Sequence, residues 1–144
     1  MSEMLIRYLH FFGIIFLASG LVVEHFLISK EVSVNEMKKL ATADAMCGMG
    51  ALLILISGTL LWFAVGKPAE FYSGNWVFHT KLTIFLGIII LAIYPAVFFI
   101  RNRNSKLSVI NVPQSVIVLI RIELVLLLTV PLLAVFMARG YGIA

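Results

Sequence analysis

Four apolar runs, each near the length that a helix needs to cross a membrane, constrain the fold of this chain more than any other feature. A transmembrane helix requires about 20 apolar residues. The composition agrees, because 62% of the 144 residues are hydrophobic and the mean hydropathy is +1.08, which is far from a soluble domain. The sequence therefore predicts an all-α membrane protein, a single up-and-down bundle over residues 1–144. Its four transmembrane helices are expected at 4–28, 45–65, 77–100 and 116–138.

Basic residues beside these runs predict the orientation of the bundle. Six lie in the loops after the first and third helices: Lys30, Lys38, Lys39, Arg101, Arg103 and Lys106. The opposite side has Arg7, Lys67 and Arg139 near the helix ends, with Lys81 slightly deeper. Because basic residues accumulate on the cytoplasmic side, we expect a multi-pass protein of the bacterial inner membrane with both termini in the periplasm. The lipid bilayer is then the expected partner, and the net charge of +4 does not indicate nucleic-acid binding.

Ionisable residues inside the apolar runs are the candidate functional groups. A charged side chain near mid-membrane costs at least ~2.5–3.5 kcal/mol, so such residues are expected to face inward and to have partners. We call the half of the bundle nearest the first and third loops the inner half, and the other the outer half. The single Cys47 excludes an internal disulfide and a multi-cysteine metal site.

The inner half is predicted to hold a polar network. Its members are Glu24, Asp44, Arg121 and Glu123, with His25 at the edge. Arg121 is the expected partner of Glu24 or Asp44, since a guanidinium holds a carboxylate in two hydrogen bonds. Arg121 and Glu123 are about 200° apart on a helix and should not pair. Two interpretations stay open: ion pairs that fix helix register, or a proton pathway or site for an anionic group.

The outer half contains two histidines and a lysine. His10 lies in the first helix, and His79 and Lys81 begin the third. Histidines from different helices of a bundle can ligate the iron of a b-type haem, and Lys81 can pair with a haem propionate or a substrate carboxylate. The alternatives are histidines hydrogen-bonded at a helix interface, and a lysine that extends to the headgroups.

Two segments of the outer half resemble HemJ-type protoporphyrinogen oxidases. They are Tyr8-Leu-His10 followed by Leu17-Ala-Ser-Gly20-Leu21, and Trp76-Val-Phe-His79-Thr-Lys81-Leu82. CopD-like membrane proteins share the same four-helix pattern. The resemblance implies a haem-associated membrane redox protein, with His10 as an iron ligand and Lys81 as the functional lysine.

The chain also resembles a bacterial family of small predicted membrane proteins without an assigned function. The segments that carry this resemblance are Ala43-Asp44 with Gly48, Phe71-Tyr72 through His79-Thr-Lys81 to Tyr94-Pro95, and Met137-Ala-Arg139-Gly140. Together they cover nearly the whole chain.

Three functional hypotheses follow. The first is a membrane protein that binds haem b or a porphyrin for redox chemistry with the quinone pool, with His10 and His79 on the iron and Lys81 as catalytic residue. The second is a proton- or solute-conducting transporter subunit, expected to form a homo-oligomer, that uses the polar network. The third is a non-enzymatic accessory subunit in which every charge is structural.

Overall fold

Four long helices form the protein in the computed structural model, which describes residues 2–65 and 68–142. Each is long and apolar enough to cross a membrane, so the prediction of an all-α membrane bundle is confirmed. Lys67, one of the charges that predicted the orientation, lies outside the described residues. The helices are α1 (Ser2–Leu27), α2 (Val34–Leu60), the short α3 (Ala69–Ser73), α4 (Trp76–Asn102) and α5 (Gln114–Ala138).

The long helices form a ring in the order α1, α2, α4, α5. The most extensive contacts join α1 to α2 and α4 to α5, and smaller ones join α2 to α4 and α1 to α5. Consequently α1 and α4 lie on a diagonal. Two short strands, β1 (Glu31–Ser33) and β2 (Val109–Asn111), pair antiparallel at the inner end of the bundle.

Glycines allow α1 and α2 to approach closely. A Cβ on Gly13 would lie 2.9 Å from the carbonyl oxygen of Gly50, and one on Gly50 would lie 2.6 Å from that of Gly13. A Cβ on Gly20 would overlap the Cys47 sulfur and lie 2.7 Å from the Ala43 carbonyl oxygen. Without side chains at these points the backbones pack directly, as in many membrane helix pairs. The α1–α2 register is therefore fixed by backbone contact.

The second helix begins at Val34 rather than at residue 45, so most of the expected first loop is helical. Ser33 starts the helix with a capping box, in which its Oγ accepts a 3.1 Å hydrogen bond from the Glu36 N–H and its own N–H donates to Glu36 Oε1 at 3.2 Å. Met37 and Leu40 are fully buried, whereas Lys38 and Lys39 are exposed. This first part is amphipathic, so a search for continuous apolar runs misses it. The helix ends in a π-helical turn, Leu61–Val65.

The buried apolar residues form two clusters at different depths. The inner cluster closes the inner end and comprises Ile28, Val32, Met37, Leu40, Phe99, Ile110, Val112, Val116, Ile117 and Ile120. The middle cluster comprises Leu17, Leu21, Cys47, Phe85, Ile88 and Leu127. Because the strands contribute Val32 and Ile110, the β-ladder is part of the packing that closes this end.

Candidate functional site

Three acidic side chains from three helices lie between the inner and middle clusters. Glu24 is on α1, Asp44 on α2 and Glu123 on α5. Each is three or four positions from a member of each cluster, and this spacing keeps residues on one helix face. The flanking residues are Leu21 and Ile28, Leu40 and Cys47, and Ile120 and Leu127. We call Glu24, Asp44 and Glu123 the carboxyl layer.

The carboxyl layer is shielded from the surroundings. Glu24 is 1% exposed and Glu123 is 2% exposed, while Asp44 is half-buried. The side chains of Glu24 and Asp44 are close enough to interact directly, and Glu123 is close enough to both to interact electrostatically. A hydrogen bond between two carboxyl groups requires a proton on one of them, because an ionised carboxylate only accepts. A hydrogen bond at this contact would therefore place one proton between the two carboxyl groups.

Two further features complete the layer. The Cys47 sulfur lies 3.9 Å from Glu24 Oε1 and 3.6 Å from the Leu17 carbonyl oxygen, where its S–H is a weak donor. The Oε1 atom of Glu123 is buried and has no hydrogen-bond partner among the described residues. Buried polar atoms are normally hydrogen-bonded, and exceptions mark strain, a functional role, or a bound water or ion.

Arg121 does not take part in the carboxyl layer. Its side chain is exposed, and within residues 2–65 and 68–142 no ion pair joins it to Glu24 or Asp44; the ion pair in this part of the chain is Arg7–Glu3 at 2.9 Å. The expected pairing of Arg121 with a carboxylate is thus not found. The reason is angular, since Glu123 faces the core and Arg121 lies about 200° away on the same helix.

His25 is at the inner edge of the layer. It follows Glu24 near the end of α1, is half-buried, and packs edge-on against Phe26 with ring centroids 5.2 Å apart. Its Nδ1 atom is buried and has no partner in the described part of the chain.

In the outer half, His10 is held at the α1–α2 interface by Ser57. The two atoms His10 Nδ1 and Ser57 Oγ are 2.9 Å apart, and Ser57 is 2% exposed. The Ser57 hydroxyl donates to the Leu53 carbonyl oxygen, so His10 Nδ1 must carry the hydrogen of the His10–Ser57 bond. The other ring nitrogen, Nε2, then has the free lone pair.

Lys81 and His79 begin α4 but differ in environment. Lys81 is half-buried, with Nζ 5.9 Å from the centroid of the Phe78 ring, and it is close enough to His10 for electrostatic interaction across the diagonal of the bundle. His79 is exposed, and its Nε2–H donates to the Ser73 carbonyl oxygen at 2.7 Å. The structure therefore places Lys81 within electrostatic range of His10 and leaves His79 exposed at the start of α4.

These positions limit the metals and cofactors that the site can hold. Among the described residues, no group of three or more His, Cys, Asp or Glu side chains is placed to bind a metal ion. For haem iron, His10 fits one axial position, because a ligating histidine normally donates its other N–H to a fixed acceptor, here Ser57. His79 does not fit as a second ligand in the interior of the bundle, because its side chain is exposed.

Ser57 and Cys47 are the residues that sequence reasoning missed. Gly20 meets Cys47 across the α1–α2 interface, and His10 and Ser57 are each ten residues further toward the outer end. The pairing of His10 with Ser57 follows from the register of two antiparallel helices. This register can be derived only when one pair of facing residues is already known.

Residues 2–142 match the family described as predicted membrane protein, DUF2214. No curated protein matches the chain, and no solved structure does. The match does not extend to HemJ-type oxidases or CopD-like proteins. Because it covers nearly the entire chain, this protein belongs to the DUF2214 family of predicted membrane proteins.

Proposed function

We propose that this protein binds and exchanges protons at the carboxyl layer and acts as a proton-coupled transport subunit in the membrane. The observation that carries the proposal is the position of Glu24, Asp44 and Glu123. They come from three helices, lie between two apolar clusters, and have no Lys or Arg partner among the described residues.

Proton chemistry explains this arrangement better than a structural ion-pair network does. A structural network requires a cation, and the expected one, Arg121, is exposed. Acidic residues in a membrane interior typically mark ion or proton paths. Well-packed apolar residues of similar size would stabilise the bundle at least as well. Carboxyl groups that share a proton can release it and take it up again, which apolar residues cannot do.

Exchange requires that the layer open toward one end at a time. In this conformation the inner cluster lies on one side of the layer and the middle cluster on the other. The α1–α2 contact is extensive and glycine-packed, whereas α2–α4 and α1–α5 contacts are smaller. We expect the α1–α2 and α4–α5 pairs to rock against each other, as rigid bodies commonly do in transporters. Four helices are few for a transport path, so the proposal includes a homo-oligomer.

The test is proton flux in proteoliposomes that contain a pH-sensitive dye. An imposed membrane potential should drive flux with the wild-type protein, and Glu123→Gln should reduce it at least about tenfold, since proton transfer by a positioned group contributes roughly 10²-fold or more. Glu70→Gln is the matched control, because Glu70 is an exposed carboxylate on α3. Wild-type flux from a folded Glu123→Gln variant would overturn the proposal.

The membrane and orientation are part of the proposal. The inner half is cytoplasmic and the termini are periplasmic, in a bacterial inner membrane, because basic residues are more numerous at the inner end. A reporter that fluoresces only in the cytoplasm should be dark when fused after the C-terminus. Fluorescence from that fusion would show that the C-terminus is cytoplasmic and that the orientation is the opposite of the proposed one.

Binding of haem b is the second candidate function, favoured by the ring orientation of His10. Its Nδ1–H is held by Ser57, which leaves Nε2 available for iron, and Lys81 is the expected partner of a propionate. A bound haem would supply one-electron chemistry, and a porphyrin or quinone would be its substrate. This version makes the protein a membrane oxidoreductase in which Lys81 is the functional lysine.

The visible absorption spectrum tests the haem candidate. Purified protein reconstituted with haem should give a Soret band, with α and β bands after dithionite. His10→Ala should abolish these bands, whereas His25→Ala should retain them. A colourless wild-type preparation after reconstitution would exclude this function without affecting the proton proposal.

A further inference from the structure

A groove lies at the inner end of the bundle, between the first part of α2 and the end of α4. Its lining residues are Lys38, Ala41, Thr42, Ala45, Arg103 and Asn104. It is separate from the carboxyl layer, because Lys38 and Arg103 are exposed while the layer faces the core. Both walls are close to the membrane surface, since Lys38 is in the second turn of α2 and Arg103 caps α4.

The mouth of the groove is cationic and lacks an internal counterion. Neither Lys38 nor Arg103 forms an ion pair within the described ranges. Lys39 and Arg101 are also exposed but do not line the groove. The acidic residue nearest in sequence, Glu36, is engaged in the capping box with Ser33. An anion that enters this mouth would therefore meet two cations that no protein group already neutralises.

Below the mouth, one side of α2 offers space along the lipid-facing surface. Residues Lys38, Ala41, Ala45, Gly48 and Leu52 are spaced by three or four positions and so share one face. The alanines line the groove, and a Cβ on Gly48 would meet nothing within 4 Å. Leu52 is exposed. A cationic mouth thus continues into a shallow apolar furrow.

We propose that this groove binds an anionic phospholipid. Lys38 and Arg103 hold the headgroup phosphate, since a guanidinium matches phosphate geometry and basic pockets near the membrane surface attract anionic headgroups. One acyl chain lies along Ala41, Ala45 and Gly48. The free phosphate ion shares the headgroup's chemistry but lacks a chain for the furrow, so the lipid is the occupant. The inference is independent of the proton proposal.

The test compares two double variants with the same change in net charge. Lys38→Gln with Arg103→Gln removes both cations of the mouth, and Lys39→Gln with Arg101→Gln removes two exposed cations outside its lining. Native mass spectrometry of detergent-purified protein titrated with phosphatidylglycerol or phosphatidylcholine measures bound lipid. We expect saturable wild-type binding of phosphatidylglycerol, weakened about 10- to 30-fold by the groove variant and less than about threefold by the control.

Three results would overturn the proposal. Equal binding of phosphatidylglycerol and phosphatidylcholine would remove the anionic preference. Equal losses in the two double variants would indicate a diffuse charge effect instead of a groove. Displacement of the lipid by millimolar inorganic phosphate would identify a free-anion site. Thermal unfolding of each variant without added lipid checks that the groove variant is folded.

Discussion

The two polar regions of the bundle, the carboxyl layer and the His10 region, differ in how their buried groups are satisfied. In the outer half, His10 is hydrogen-bonded to Ser57, and Lys81 lies over the Phe78 ring. In the inner half, Glu24 lies beside the Asp44 carboxyl group and the Cys47 thiol, and one oxygen of Glu123 has no hydrogen-bond partner among the described residues. Polar groups with complementary partners stabilise a fold. Groups of like charge placed together do not, so their presence calls for a functional reason.

Both regions depend on the α1–α2 register, and a substitution that disrupts this register should reduce the stability of the protein most. Gly20→Leu would force a side chain into the Cys47 sulfur and the Ala43 backbone. We expect destabilisation of about 3 kcal/mol or more, because overpacking a tight contact typically costs 1–3 kcal/mol for smaller insertions. Thermal unfolding and size-exclusion profiles measure it. Gly87→Leu is the control, since a Cβ there meets nothing within 4 Å; equal losses would show that the glycine contact is unimportant.

Ser57→Ala should reveal the structural character of the His10 region. The substitution removes the acceptor of His10 Nδ1–H, and an unsatisfied buried donor costs about 1–3 kcal/mol. The free energy of unfolding should fall by that amount. Thr59→Ala removes an exposed hydroxyl that bonds only its own helix and should change stability much less. Unchanged stability in Ser57→Ala would mean that His10 is satisfied in another way.

The substitution Glu123→Leu should change the free energy of unfolding in the opposite direction from Ser57→Ala. Because one Glu123 oxygen is buried without a partner among the described residues, replacing the carboxyl group with an apolar side chain should be neutral or stabilising by roughly 1 kcal/mol. Denaturation midpoints of Glu123→Leu and Ser57→Ala, measured side by side, compare the regions directly. If the free energy of unfolding of Glu123→Leu fell by more than about 2 kcal/mol, the carboxyl layer would have a structural role.

Arg121→Gln should have the smallest effect. The side chain is exposed and has no ion-pair partner among the described residues, and substitutions at such positions usually stay within about 0.5 kcal/mol. Proton flux should also be unchanged. Loss of proton flux in a stable Arg121→Gln variant would show that Arg121 takes part in the proton pathway.

The apolar runs and helical spacing of the sequence predict the number of helices and the inward position of Glu24, which is buried in the structure. The sequence does not decide which of two residues about 200° apart faces the core, as with Arg121 and Glu123 or His79 and Lys81. In a helix that is apolar all around, such as α5, hydrophobic periodicity gives no preferred face. Only packing against neighbouring helices determines which face of such a helix is buried. The start of α2 was placed too late for a related reason, since its polar first turns bury Met37 and Leu40.

The most direct test of proton binding at the carboxyl layer is infrared difference spectroscopy of the purified protein, in H₂O and after transfer to D₂O. Proton binding at the contact between Glu24 and Asp44 predicts a carbonyl band of protonated carboxylic acid at neutral pH. That band should shift in D₂O because the proton exchanges, and it should lose intensity when Glu24→Gln and Asp44→Asn are combined. A wild-type spectrum that contains only ionised carboxylate bands would contradict proton binding at this layer.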